Sequence, residues 1–371
     1  MRIHAEMKKC YSLNYKFPGI TDEYASVDCW LKDKADADKV IMTPDKIRQY
    51  NRSIEDTDGC GIVDITKVSS EHQSYGIITA QTDVRSEPVD GNGTIQMDML
   101  QESTMKIGEG VIILHSNSYG DWLYVQGHNY AGWVKQSNVA GCTRKELSDY
   151  VTSSEFILVT APADVRCRGE QLHFEMGCRL MSRTDKTGKV IAALRPVRDK
   201  EGKIGYKEMP LYNIEYHRGY LPYTNRYVLD QAMKLLNIPY GWGNADNLLD
   251  CSGTVVSVYD CFGISIPRNT SAMAKCPYTK TDVSGMTFSE KKELLKNIMP
   301  GSLIITKGHV MLFLGVKCGE PYVLHNFTAY KNESGNIQHV NQCTITPLDF
   351  LRKNESTMLE DITTIVEVKS I

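Results

Sequence analysis

The chain carries eleven cysteines but no CxxC pair. Zinc ribbons and thioredoxin-type motifs need that close spacing, and an odd count does not suit a closed disulfide framework. Free thiols in a reducing compartment fit this usage, and a cysteine met at random in such a chain is an inert, buried side chain. No apolar run reaches the ~18 residues that would span a bilayer. The N-terminus, MRIHAEMKKCYSLNYKFPGI, is basic but lacks the roughly 7–15-residue apolar segment of a secretory signal. The expectation is a cytoplasmic protein, or a periplasmic or secreted one if a leader precedes this numbering. No Gly-rich phosphate loop follows a strand, which argues against a dinucleotide-binding unit. A net charge of −3 gives no electrostatic reason to expect nucleic acid or an anionic membrane as partner.

At 371 residues the chain exceeds one ordinary core, and four regions differ in texture. Residues 1–70 are mostly irregular and polar, too little for an independent core. Within them TPDKIRQYN reads as a short helix with Thr43 as N-cap and Pro44 in the first turn. TDVRSEP at 82–88 is echoed by ADVRCRG at 163–169, each after a β-rich segment. WLYVQGHNYAGWVK reads as a hairpin. Two sets of short strands therefore predict two small all-β barrels, at 71–145 and 146–215. From 216 to 371 the texture changes. A helix is expected from Thr224 to Pro239 and another over CSGTVVSVYDCFG, followed by the strands GSLIIT, HVMLFLGV, PYVLHNF and ITTIVEVK. Helices and then adjacent strands make an α+β domain.

Cys251, in LLDCSG, stands apart from the other ten. It opens a predicted helix, where unpaired N–H groups and the helix dipole favour a thiolate. Asp250, Ser252 and Gly253 suit the tight turn that leads in. Cys261, at the far end of the same helix, reads as structural. A cysteine nucleophile needs a base and the base an orienting partner. His309 and His325 begin and interrupt neighbouring apolar strands and can face the helix start together. His339, in a polar stretch, reads as a solvated loop residue. A histidine at a strand edge can equally be structural, and spacing alone leaves both readings open.

Four segments taken together carry a resemblance: IPYGWGNADNLLDCSG, GISIPRNTS, PGSLIITKGHVMLFLG and YVLHNF. Their order, with a Tyr-x-Trp-Gly segment, Asp-Cys-Ser-Gly, a Gly-His strand and a second His, resembles the NlpC/P60 cysteine peptidases over about 150 residues. The two DVR repeats resemble bacterial SH3 (SH3b) domains, and residues 1–70 the stabilising segment found with them. The resemblance implies a papain-like catalytic domain at 216–371. It implies an endopeptidase that hydrolyses the γ-D-glutamyl-L-diamino acid bond of murein peptides through a thioester. Cys251 would be nucleophile, His309 general base and acid, and His325 its orienter. Tyr240 would donate to the oxyanion, Asp250 and Ser252 would contact substrate, and Tyr130 would reach the groove from the first barrel. No metal or organic cofactor is implied. The implied partner is a murein peptide, bound by a monomer with its SH3b domains packed on the catalytic domain.

Two positions depart from the family pattern. Asn269 stands in PRN where relatives often read PRD, an acid associated with holding the free amine of an N-terminal L-Ala. Either the preference for a free N-terminus is lost with that charge, or the charge comes from elsewhere, from Asp246 or from a carboxylate of the first barrel such as Glu87. Asn244 and Ala245 replace residues that tend to be glycine. The rival readings are an amidase or acyltransferase on the same Cys-His-His site, and a non-catalytic wall-binding protein.

Overall fold

The structure is a computed structural model that describes residues 26–55, 74–91, 97–167, 169–332 and 334–369. The expectation for the N-terminal segment before residue 26 lies outside the described residues. Helices α1 (Lys34–Ala37) and α2 (Pro44–Glu55) lead the chain, with the Thr43 hydroxyl accepting from the Lys46 N–H. Among the described residues, this region has no core of its own. Trp30, Met42 and Ile47 are buried in the same cluster as the C-terminal domain, and Trp30 packs on Tyr322 at 5.1 Å. Burial of these apolar side chains against a foreign surface is what orders so short a segment.

Strands β1 (Ser74–Ile78), β2 (Thr82–Arg85), β3 (Gln101–Met105), β4 (Gly110–Ser116), β5 (Trp122–Gln126), β6 (Ala131–Lys135) and β7 (Val139–Cys142) form one sheet, in the order β3-β2-β6-β5-β4-β1-β7. The expected hairpin is β5–β6, with Trp122 opposite Lys135. Helix α3 (Arg144–Thr152), capped by a Thr143–Glu146 box, leads to the second β unit. There β8 (Phe156–Val159), β11 (Arg179–Thr184), β12 (Val190–Arg198), β13 (Ile204–Met209) and β14 (Tyr216–Arg218) make a five-stranded sheet. Strands β9 (Ala163–Cys167) and β10 (Glu170–Phe174) pair separately. Two closed barrels were expected; among the described residues the strands form open sheets and no closed barrel is found.

The C-terminal domain starts with α4 (Asn225–Met233) on the expected Thr224 cap. It ends short of Pro239 because the chain tightens into i→i−3 turns and Asn237 takes a left-handed φ of 65°. Helix α5 (Cys251–Asp260) is apolar on nearly every side and buried in the domain centre. Next come α6 (Thr270–Met273), β15 (Thr279–Asp282) and α7 (Phe288–Leu295). The last strands are β16 (Leu303–Thr306), β17 (His309–Lys317), β18 (Glu320–Lys331), β19 (Ile337–Pro347) and β20 (Ile362–Glu367). The sheet order β15-β20-β16-β17-β18-β19 is antiparallel throughout and lies against α5. His339 lies on β19 rather than in a loop, though its side chain is exposed as expected. Among the described residues, no helix is long and apolar enough to cross a membrane.

Candidate active site

The first sheet is clamped to both ends of α5. At the C-terminal end, Lys106 donates to Asp260 at 2.6 Å and to the Met176 carbonyl at 2.8 Å. At the N-terminal end, β3 meets the turn before Cys251. The Trp242 indole N–H donates to the Gln101 carbonyl at 3.0 Å, and the Gln101 amide donates to the Gly243 carbonyl at 3.2 Å. Gly243 sits at φ +60°, and a Cβ there would meet Gln101 Cγ at 2.8 Å. The glycine therefore serves the left-handed turn and the contact between domains together.

Asp250 is the N-cap of α5 and the hub of this turn. Its carboxylate accepts from the Gly253 N–H at 2.7 Å, the Gly243 N–H at 3.2 Å and the Ser252 hydroxyl at 3.1 Å. Arg268, 4 % exposed, forks onto both oxygens at 3.1 and 2.8 Å. The same guanidinium donates to Ser252 Oγ, to Asn244 Oδ1 and, across the domain boundary, to Ser103 Oγ at 2.9 Å. Asn244 also accepts from the Asp250 N–H, and its side chain fills the place of a Cβ on Gly253, which would lie 2.0 Å from Asn244 Oδ1. The Asn at 244 is thus wall material for the DCSG turn. Asp250 and Ser252 line the cleft but spend their polar atoms on protein partners.

Cys251 is half-buried at the first position of α5. Burial and the Asp250 carboxylate push its thiol up to about 11; the N–H groups of Val310 and Ser252 and the Arg268 charge work the other way. The effect of the Val310 N–H on the thiol places the sulfur near the start of β17, where His309 stands. His309 Nε2 lies 2.8 Å from His325 Nδ1, and His325 Nε2 lies 3.0 Å from Thr346 Oγ1 on β19. The His325 ring stacks on Phe327 at 4.2 Å. Burial, then the nearby Arg352 charge, lowers His309 to about 3, while burial and His309 hold His325 well below the usual histidine range. Thiol and imidazole thus rest neutral. Asn326, between the two ring-bearing positions of β18, donates to the Leu249 carbonyl at 2.8 Å and ties that strand to the turn before the cysteine. Tyr240 lies close enough for Cys251 and Asp250, after burial, to keep its hydroxyl protonated and available as a donor.

Cys251, His309, Tyr240, Asp250, Ser252 and Asn269 all border one cleft of about 550 Å³, and His325 stands behind His309. Tyr130 is not in the cleft wall; its hydroxyl donates to Glu102 at 2.5 Å, and Glu102 does border the cleft. Of the expected sources of negative charge, Asp246 borders a separate cavity between β2 and the 246–247 turn, and Glu87 is exposed outside the cleft. Glu102 is a carboxylate of the kind expected from the first barrel, at another position than Glu87, whereas Arg268 and Asn326 are not singled out by the sequence. Only Arg268 carried a signal, as the charged neighbour of Asn269 in an apolar loop. Cys261, by contrast, is buried with its thiol pushed up to about 12 and directed at the Ser257 carbonyl.

A thiol at a helix start that shares a cleft with an imidazole held by a second histidine is the arrangement of a cysteine hydrolase, able to carry acyl transfer through sulfur. Residues 237–350 match the model of the NlpC/P60 family, a family of cysteine peptidases, and residues 86–135 match an SH3 domain of the SH3b1 type. The chain therefore carries an NlpC/P60 domain behind an SH3b-type domain. Among solved structures, it is similar to an NlpC/P60 endopeptidase from Photobacterium damselae subsp. piscicida. The identity is 16 %, with 92 % of this chain and 96 % of that one covered and a TM-score of 0.74. It is also similar to an NlpC/P60 family protein from Bacillus cereus ATCC 10987, at 16 % identity, with 80 % and 100 % covered and a TM-score of 0.55. No curated protein matches the sequence. At these identities the likeness is one of fold.

Proposed function

We propose that the chain is a cysteine endopeptidase that hydrolyses the γ-D-glutamyl-L-diamino acid bond of murein peptides, with residues 146–215 as a second SH3b domain. The observation that carries this reading is the single cleft in which Cys251 and His309 meet Glu102 of the SH3b-type domain. His309 takes the thiol proton as sulfur attacks the γ-carbonyl. Tyr240 and the Cys251 N–H donate to the oxyanion. Collapse to the thioester expels the amine, which receives the proton back from His309. Water, deprotonated by His309, then releases the acid and frees the thiol. Asp250, Ser252 and Arg268 hold the turn rigid.

The acyl side of the cleft carries Glu102, with Tyr130 and Asn269 beside it. Glu102 supplies the carboxylate that Asn269 cannot, and would hold the free amine of an N-terminal L-Ala by a charge-assisted hydrogen bond. On L-Ala-γ-D-Glu-diamino acid, the wild type is expected to release L-Ala-D-Glu, and N-acetylation of the peptide to cost about 10- to 100-fold in kcat/KM, the scale of one such bond. Glu102→Gln is expected to narrow that gap to within a few-fold. Mass spectrometry of the products decides the bond. Cleavage elsewhere would sink the activity assigned, and equal rates on free and blocked peptide would sink the role of Glu102.

A further inference from the structure

The carboxylates and cations that border the cleft are unevenly spread along it. Its bordering carboxylates, Glu102 and Asp250, lie on β3 and at the start of α5, and Asp250 is already paired with Arg268, so Glu102 is the acid left for a substrate there. The other end of the cleft, around His309, is bordered by Gly308, Phe327, Phe350, Arg352, Lys353 and Asn354, with no carboxylate among them. Chemistry decides which part of a substrate this second end meets. The general acid protonates the leaving nitrogen, so the leaving residue lies against the walls around His309. In a leaving α-amino acid, the carbon bonded to that nitrogen also bears the α-carboxyl group. A carboxyl in the leaving residue must therefore come within a few bonds' reach of His309, and Arg352 is the cation whose field depresses His309.

Arg352 is built to stay in place. Its backbone N–H donates to the Ser356 carbonyl, Lys331 pairs with Leu351 beside it, and Met358 donates to the Phe350 carbonyl. Its Nη1 donates to Asp361, which is itself held by Ser356 Oγ at 2.7 Å and Asn354 Nδ2 at 3.0 Å. Asp361 occupies one edge of the guanidinium from outside the cleft wall. The planar fork has donors to spare for a second carboxylate. Lys353, exposed at the same end, keeps the local charge positive.

Resting on the peptidase reading above, we infer that Arg352 binds the free α-carboxylate of the leaving diamino acid, so that the enzyme selects peptides in which that residue is C-terminal over peptides in which its carboxyl is amidated or extended. An Arg–carboxylate contact of this kind corresponds to about 10- to 100-fold in kcat/KM.

The test compares L-Ala-γ-D-Glu-L-Lys with its C-terminal amide, which is nearly isosteric and uncharged there. The wild type is expected to prefer the free acid by about 10- to 100-fold. Arg352→Gln is expected to bring the two substrates to within a few-fold by slowing the free acid relative to the amide, since any effect of the lost charge on His309 bears on both substrates alike and leaves the ratio unchanged. Asp361→Asn, which removes the brace and leaves the cation, is expected to keep the preference. The ratio is measured within each protein, so partial misfolding lowers both rates and leaves it unchanged. A wild-type ratio near one, or an equal loss on both substrates in Arg352→Gln, overturns the inference while the peptidase reading stands. If neither substrate is cut at the γ-D-glutamyl bond, the peptidase reading falls and this inference with it.

Discussion

Replacing His325 with alanine is expected to lower kcat by about 10³- to 10⁴-fold, the loss seen when a catalytic histidine is left in the wrong tautomer. His309 can accept a proton at Nδ1 only if its resting proton sits on Nε2, where His325 Nδ1 is the acceptor at 2.8 Å. Thr346 then takes the His325 Nε2 proton at 3.0 Å, so one tautomer is fixed along the row. His309 already resists protonation because it is buried and faces Arg352. Without His325 the imidazolium formed during attack would have no acceptor, and protonation would become harder still. Cys251 is held by its place at the start of α5, which the substitution leaves alone. Steady-state kinetics should therefore show the loss in kcat with KM changed only a few-fold. A kcat within tenfold of wild type, or a loss confined to KM, would contradict the role assigned to His325.

The second large effect is on stability. Arg268→Met is expected to cost about 3–5 kcal/mol, because it leaves the Asp250 carboxylate buried without its charge partner. The pair is buried on both sides, with side-chain exposures of 4 and 10 %, so solvent screens it little. The loss reaches further than one pair: the same guanidinium holds Ser252, Asn244 and, from the SH3b-type domain, Ser103. Arg268→Lys is expected to recover only part of the loss, since an ammonium cannot span that fork of acceptors. Calorimetry is the check, with a fall in Tm of roughly 10 °C expected for Arg268→Met in a domain of this size. A shift of one or two degrees would show that the turn around Cys251 is held by the Asp250 backbone contacts instead.

What could be read in the sequence was local. The turn DCSG, the apolar helix behind it and the β5–β6 hairpin follow from residue types at short range, and α5 and the hairpin stand as expected. His309 and His325 could be paired on neighbouring strands because β17 and β18 are continuous apolar runs with a short turn between them. Strand β19 escaped because its outer half faces solvent. Only Val340, Cys343, Ile345 and Thr346 contribute strongly buried faces, so alternation is weak over the stretch that contains His339. Glu102 and Arg352 escaped for a different reason. Each lies far along the chain from Cys251, in a polar segment with no periodicity, and is brought to the cleft by packing between domains or by the turn after β19. Arg268 was overlooked beside Asn269 because the apolar loop around it gives no sign of the buried carboxylate it meets, 18 residues upstream.

The central claim is that the γ-carbonyl is transferred to the sulfur of Cys251. Acid-quenched enzyme, taken during turnover of L-Ala-γ-D-Glu-diamino acid and mapped by peptide mass spectrometry, tests it directly. The expected result is an adduct equal to the substrate less its diamino acid, on the peptide containing Cys251, released by hydroxylamine and absent from Cys251→Ala. An adduct on Ser252 or on another cysteine, or undiminished product from Cys251→Ala, would contradict it.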